Sequence, residues 1–270
     1  APLAAAIGNF DGVHRGHQKV VAAACEAAKR NGLVPAIITF DPHPREFFRQ
    51  EDAPFYLADR VEKDRLLSNL QVDRIIHVSF NEALRRTDAR DFVSSVLPAL
   101  GVKQLYAGAD FAFGRGRGGQ IDTINDYGAL FGIAAFSVPL LQDENSVVIS
   151  SSRIRAALQA GDPAAAAAML GRDWAVTGTV IKGEQRGRKI GFPTANIVLE
   201  TLQQPAFGVY AVEVDIDDGQ ATPKRRAGGV ANIGIRPTFE KKDLLCEAHL
   251  FESDCDLYGQ RLLVRLKAFL

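Results

Sequence analysis

Two histidines three positions apart, His14 and His17, stand where a short apolar run gives way to a helix-length segment, in the string Gly8-Asn9-Phe10-Asp11-Gly12-Val13-His14-Arg15-Gly16-His17. Glycines let the backbone turn tightly and come close to a ligand, and a helix start offers N–H groups to an anion. With Gly8, Phe10, Asp11 and Gly16 as candidate ATP- and phosphate-binding residues of this turn, both imidazoles can donate to phosphate oxygens. That pairing suits a reaction whose transition state gathers charge on phosphorus. Zinc binding is one competing reading. It needs at least three protein ligands, yet His43, His77 and His249 have no motif spacing to the pair and no cysteine lies near it in the sequence. A purely structural pair is the other.

A second anion-binding pattern lies in Ile149-Ser150-Ser151-Ser152-Arg153-Ile154-Arg155. Serines at a helix cap and first turn present hydroxyls and N–H groups together, and Arg155, one turn on, can reach the same anion. Alone this is an ordinary serine cap with surface arginines; beside the histidine pair it reads as the other half of a phosphate site. The run 114–119 (Gly-Arg-Gly-Arg-Gly-Gly) could pass for an RNA-binding element, but one short run between a strand and a helix is expected to be a mobile loop by an active site.

Residues 178–196 are dense in glycine and cations and end in Pro193-Thr194-Ala195-Asn196. Gly183, Gly187 and Arg188 could fold over nucleotide phosphates, although the P-loop pattern is absent. In an extended segment Thr194 and Asn196 face the same way, and their neutral oxygens could orient a magnesium ion and the phosphates that it bridges. A plain glycine-rich hairpin is the alternative.

The elements that must hold these residues fall into two regimes. Up to residue 160, strand-length apolar runs (4–9, 33–40, 74–80, Val102–Gly108, 133–139) alternate with helix-length amphipathic segments (16–32, 59–70 and 88–100, the last two starting at Asp caps). Such alternation means crossover units and a parallel sheet with ligands at the strand carboxyl ends. Asp162-Pro163 and five alanines form a short helix ending at Gly171. Beyond Trp174, Gly208–Ile216 alternates Tyr210, Val212, Val214 and Ile216 against Val209, Ala211 and Glu213, and 244–252 and Arg261–Phe269 also read as strands. This predicts a small antiparallel barrel, with the boundary near residue 169.

Composition excludes several classes. Lys+Arg and Asp+Glu both number 32, so the basic excess of a nucleic-acid or anionic-membrane binder is lacking. Apolar runs stop well short of the roughly 20 residues of a membrane span, and nothing after Ala1 reads as a signal peptide. Cys25, Cys246 and Cys255 form no CxxC pair, which fits a reduced cytoplasmic protein with free thiols.

H-x-G-H in the first strand–helix turn with I-S-S-S-x-x-R at a late helix resembles the nucleotidylyltransferase superfamily. The string 8–18, with Phe40-Asp41-Pro42-His43-Pro44 and Gly108-Ala109-Asp110-Phe111-Ala112-Phe113-Gly114, narrows the resemblance to bacterial bifunctional riboflavin kinase/FAD synthetases. The P-T-A-N string resembles the riboflavin kinase signature, as do 229–239 and Glu247-Ala248-His249-Leu250-Phe251 followed by Asp256-Leu257-Tyr258-Gly259. The resemblance implies a Rossmann-like nucleotidylyltransferase domain with a parallel sheet over 1–168 and a six-stranded antiparallel riboflavin-kinase barrel over 169–270. It implies that His14, His17, Ser151, Ser152 and Arg155 hold ATP phosphates, that Asp110 lies in the ATP pocket, and that Phe40, Asp41, Pro42, His43 and Pro44 help form the flavin–ATP site. Glu247 would be the base that takes the proton of a primary alcohol attacking the γ-phosphate; a solvent-facing strand glutamate is the plain alternative. The expected sequence of reactions is riboflavin and ATP to FMN, then FMN and ATP to FAD and pyrophosphate, with Mg2+ assisting. Small molecules are the expected partners, with flavin-accepting apoproteins possible, and oligomeric state is left open. The alternatives are one live activity alone, or a flavin-binding regulatory protein.

Three departures from the family pattern stand out. Ser152 replaces a frequent Thr and keeps the hydroxyl. Phe251-Glu252-Ser253-Asp254 replaces the more usual Asp-Phe, a tolerated loop change. Family members also usually carry a further N-terminal stretch and a C-terminal helix that shapes the flavin pocket, whereas the sequence runs from Ala1 to Leu270.

Overall fold

The structure is a computed structural model that describes residues 1–49, 54–182, 194–217, 226–237, 242–251 and 257–270. The chain divides into two compact units, Ala1–Asp52 with Asp64–Ile149, and Ala53–Lys63 with Ser150–Leu270.

In the first unit, β1 (Leu3–Ile7), β2 (Val34–Asp41), β3 (Arg74–Ser79), β4 (Val102–Gly108) and β5 (Ala134–Val138) form a parallel sheet of five strands in the order β3-β2-β1-β4-β5. Between them run α1 (Arg15–Asn31), α2 (Pro44–Phe48), α3 (Arg60–Ser68), α4 (Glu82–Arg86), α5 (Ala89–Asp91), α6 (Leu97–Ala99) and α7 (Ile121–Gly128); the start of α3 falls in the second unit. A central parallel strand is covered on both faces, so it is apolar throughout rather than alternating. Accordingly Leu3, Ala5 and Ile7 enter one core with Phe92, Leu105 and Ile124, while Ala4 and Ala6 enter another with Val21, Ala24 and Ala28 of α1. α1 stops at Gly32, whose φ of 63° lets its N–H return to the Ala28 carbonyl.

The sequence predicts one helix over 88–100, and the chain is helical throughout Ala89–Ala99 with one local departure from α geometry. Asp88 does accept from the Asp91 N–H at 2.8 Å, but a π-helical turn, Phe92–Val96, separates α5 from α6. Pro98 has no N–H for the carbonyl four residues back and crowds it; just before it, the Leu97 N–H bonds the Phe92 carbonyl. After β4, residues 114–119 form a tight turn closed by Phe113 and Gly119, which exchange backbone bonds of 3.0 and 2.9 Å. The Arg115 N–H adds a bond of 2.8 Å to the Thr87 carbonyl.

The second unit carries α8 (Ser151–Gln159), α9 (Pro163–Leu170) and β6 (Ala175–Thr179), β7 (Thr194–Val198), β8 (Gly208–Ile216), β9 (Arg226–Pro237), β10 (Lys242–Leu250) and β11 (Arg261–Phe269). α9 is capped as expected, Asp162 accepting from the Ala165 N–H at 2.9 Å, and it ends at Gly171. The six strands run antiparallel in the order β6-β11-β8-β9-β10-β7. The barrel is nearly closed, its two end strands coming together where the Ile181 N–H reaches the Asn196 carbonyl at 2.9 Å. Gly178 permits that approach, since a Cβ there would lie 2.6 Å from Ile197 Cγ2. Tyr210, Val212 and Val214 point into the barrel core with Ala231, Ile233, Cys246 and Leu262. Burial, with Glu247 adjacent, pushes the Cys246 thiol up to about 12, so it stays a neutral core residue.

The segment Ala53–Lys63, far from the barrel in sequence, packs with it as a strap. The Tyr56 N–H donates to the Thr201 carbonyl at 3.1 Å, and the Gln203 N–H to the Tyr56 carbonyl at 2.7 Å. Trp174 Nε1–H donates to the Leu57 carbonyl at 2.8 Å. Asp59 caps α3 as expected, accepting from the Glu62 N–H at 2.9 Å, and also accepts from Thr177 Oγ1 at 2.5 Å and Arg261 Nη2 at 2.6 Å. Among the described residues no helix is long and apolar enough to cross a membrane.

Candidate active sites

The order β3-β2-β1-β4-β5 reverses direction at β1, and ligands in such sheets bind outside the strand carboxyl ends at that point. The turn after β1 lies there. Phe10, Gly12 and Val13 have φ of 50°, 76° and 44°. A β-branched residue in the left-handed region is a genuine outlier, and backbone strain of this kind collects at ligand sites. The turn is held by the Val13 N–H on the Phe10 carbonyl at 3.1 Å, Gln18 Nε2 on the Val13 carbonyl at 2.9 Å and Thr39 Oγ1 on the Asn9 carbonyl at 3.2 Å.

His14 caps α1, its Nδ1 accepting from the His17 N–H at 3.3 Å. Neutral His14 therefore carries its proton on Nε2, the atom able to donate. The two imidazoles stack at 3.6 Å and 18°, and Phe10, which is buried, meets His17 edge-on at 5.3 Å. Gly16 leaves room for the His14 ring, because a Cβ would stand 3.0 Å from its Cε1. Gly8 continues β1, its N–H on the Ile38 carbonyl at 3.1 Å, and Asp11 is buried in the turn. Asp110 follows β4, the neighbour of β1, and its carboxylate folds back over Gly108, where a Cβ would meet Oδ1 at 2.9 Å.

Phe40 and Asp41 end β2, a cis bond joins Asp41 to Pro42, and His43 caps α2 by accepting from the Arg45 N–H at 3.0 Å, with Pro44 at the first helical position. The fold adds an aromatic cluster that sequence reading missed. Phe80, just after β3, lies edge-on to Phe40 at 6.1 Å, Phe47 at 5.3 Å and Phe48 at 5.7 Å. Phe48 is exposed. The adjacent pair Phe47-Phe48 straight after the Pro44 motif was the available signal.

Ser151, Ser152 and Arg155 belong to the second unit, His14 and His17 to the first. The cap of α8 is Ser150, whose Oγ accepts from the Arg153 N–H at 3.3 Å, so Ser151 and Ser152 occupy the first turn. Arg155 Nε donates to the Phe55 carbonyl at 2.8 Å, and its guanidinium lies 5.4 Å from the Phe55 ring centroid.

In the barrel, Glu247 of β10 stands directly across from Asn196 of β7 and Asn232 of β9. One step along, His249 stands across from Thr194 and Val230. Directly opposed residues project from the same face of a sheet. The intervening Ala195, Cys246, Ala248, Ala231 and Ile233 fill the core, so Thr194, Asn196, Glu247 and Asn232 share the other face. Asn196 Nδ2 donates to the Thr194 carbonyl at 3.4 Å, which assigns its Oδ1 as the acceptor end. Asn232 was not singled out from the sequence; only strand register brings it to Glu247. Gly183, Gly187 and Arg188 lie outside the described residues.

Magnesium is implied but must fit the donors present. Among the described residues no group of three or more His, Cys, Asp or Glu side chains could hold a metal. A hydroxyl and an amide oxygen on one face are hard, neutral donors, suited to Mg2+ held jointly with nucleotide phosphates.

A doubly wound unit with a histidine pair at its switch point, joined to a barrel with a carboxylate–carboxamide row, defines a two-unit phosphate-transfer enzyme. Comparison with known proteins narrows this. The FAD synthetase family model matches residues 1–153 and the riboflavin kinase family model residues 170–270. Proteins named bifunctional riboflavin kinase/FMN adenylyltransferase are similar: that of Pseudomonas fluorescens is 42% identical over 96% of this chain and 82% of its own, and that of Escherichia coli 38% over 97% and 82%. A crystal structure from Streptococcus pneumoniae, described as a macrolide-efflux protein, matches with a TM-score of 0.85 and 29% identity, over 100% of this chain and 86% of that one. The chain belongs to the bifunctional riboflavin kinase/FMN adenylyltransferase family.

Proposed function

We propose that this enzyme makes FAD from riboflavin in two steps, with the kinase in residues 169–270 and the adenylyltransferase in 1–168. At the barrel, the terminal ribityl hydroxyl of riboflavin attacks the γ-phosphorus of ATP. The O–P bond forms, the hydroxyl proton passes to the Glu247 carboxylate, and ADP leaves. Thr194 and Asn196 would hold magnesium, which neutralises charge on the β- and γ-phosphates when bound. Gly183, Gly187 and Arg188 would cover those phosphates.

At the α/β unit, a phosphate oxygen of FMN attacks the α-phosphorus of a second ATP, and pyrophosphate leaves with the electron pair of the broken bond. His14 and His17 donate to the charge gathering there. Ser151, Ser152 and Arg155 hold the departing phosphates, and Gly8, Phe10, Asp11, Gly16 and Asp110 shape the nucleotide site. Phe40 to Pro44, beside the Phe47–Phe48–Phe80 cluster, offer the flavin ring an aromatic surface. Neither step forms a covalent enzyme intermediate; both rest on positioning. We place the enzyme in the cytoplasm, acting on small molecules.

The observation that carries the reading is the carboxylate of Glu247 opposed to Asn196 on one barrel face. Incubation with riboflavin, ATP and Mg2+, with products separated by chromatography, tests it. FAD is expected; FMN alone would leave a lone kinase, and neither product a flavin-binding regulator.

A further inference from the structure

Arg155 has the chemistry of a phosphate ligand, but a long arginine side chain samples many rotamers, and ordering it costs conformational entropy. The strap limits that sampling within the second unit. Arg155 Nε donates to the Phe55 carbonyl at 2.8 Å, which sets the plane of the guanidinium fork, and the charge lies 5.4 Å from the Phe55 ring centroid, within cation–π range.

Phe55 is itself fixed. It is 6% exposed, and its ring stacks on Tyr56 at 4.5 Å and 22°. Tyr56 is bonded through both backbone groups, to Thr201 and Gln203, at 3.1 and 2.7 Å, and the Leu57 carbonyl accepts from Trp174 at 2.8 Å. The residue that presents Arg155 is thus anchored to the barrel unit through the strap. We infer that Phe55 is a positioning residue for Arg155 in adenylyl transfer. This rests on the reading of Arg155 as an ATP-phosphate ligand.

The test uses the full chain with FMN, ATP and Mg2+, measuring KM for ATP and kcat separately, with riboflavin phosphorylation and Tm as controls. Phe55→Ala keeps the backbone acceptor and removes the ring. It is expected to raise the ATP KM of adenylylation by roughly 3- to 30-fold, the loss of one cation–π contact, with kcat and riboflavin phosphorylation little changed. Phe55→Tyr, which keeps the ring face, is expected to restore wild-type behaviour, and Phe55→Leu to restore Tm but not KM. Arg155→Ala is expected to raise KM further, and adding Phe55→Ala to it to cost nothing more. An equal penalty for Phe55→Ala with and without Arg155 overturns the inference, as does a joint fall in both activities and Tm that Phe55→Tyr fails to rescue. If Arg155→Ala leaves the ATP KM unchanged, the phosphate-ligand reading fails and takes the inference with it. An impaired Arg155→Ala beside an unimpaired Phe55→Ala refutes the inference alone.

Discussion

Asp59 and Arg261 stand 202 positions apart in sequence and meet at 2.6 Å. Burial alone would raise the Asp59 carboxyl, but bonds from Arg261, the Glu62 N–H and Thr177 outweigh it and hold the carboxyl below its ordinary value. A carboxyl lowered in the folded state contributes stability that is present above its unfolded pKa and lost as pH falls through the folded one. Arg261 keeps its bond to Asp217 at 2.9 Å when Asp59 is removed, so Asp59→Ala is expected to lower stability by about 2 kcal/mol near neutrality, the order of a lost hydrogen bond to a charged group. The deficit should shrink as pH drops below the ordinary carboxylate range. Denaturant unfolding at several pH values checks this; a deficit constant down to acid pH would show that the charge does not matter.

His17→Ala is expected to abolish FAD formation and spare FMN formation. Losing one donor to developing phosphate charge costs roughly 100- to 1,000-fold in rate. Steady-state assays on FMN and on riboflavin separate the two effects, and near wild-type adenylylation in the variant would refute the assignment of the histidine pair.

Glu247→Gln should do the reverse, because it keeps the shape of the Asn196–Glu247–Asn232 row and removes the proton acceptor. Riboflavin phosphorylation is expected to fall on the order of 100- to 10,000-fold, while added FMN is still adenylylated. Unchanged kinase turnover would return Glu247 to the status of an ordinary strand residue.

Thr194→Val deletes one hard oxygen beside Asn196 and preserves a β-branched strand side chain. The kinase is expected to need more Mg2+ for half-maximal rate, with the adenylylation requirement unmoved. A magnesium titration that overlays the wild type in the kinase assay would argue against a metal role for Thr194.

Each step has its own set of motif residues, so FMN is expected to pass through solvent between the two reactions. Excess apo-flavodoxin, added to riboflavin, ATP and Mg2+ as a trap for free FMN, should collect it and nearly eliminate FAD. Undiminished FAD would mean transfer without release.

What the sequence determined by itself was local. The strand, turn and helix around His14, the Ser and Asp caps of α8 and α9, and the alternation of β8 follow from φ/ψ preferences, capping and the periods of 3.6 and 2, which act over a few residues. Tertiary structure decided what joins distant segments. Asp59 was legible as a helix cap, but its bonds to Thr177 and Arg261 were not, because a carboxylate's second partner is set by which strands arrive beside it. The opposition of Glu247 to Asn196 and Asn232 depends on register across three strands, and a slip of one residue would turn each side chain to the other face. Phe55 carries no motif and sits in a segment whose sequence neighbours belong to the other unit. Its link to Arg155 exists only because the folded strap buries more apolar surface and satisfies more backbone groups on the barrel unit than it could alone.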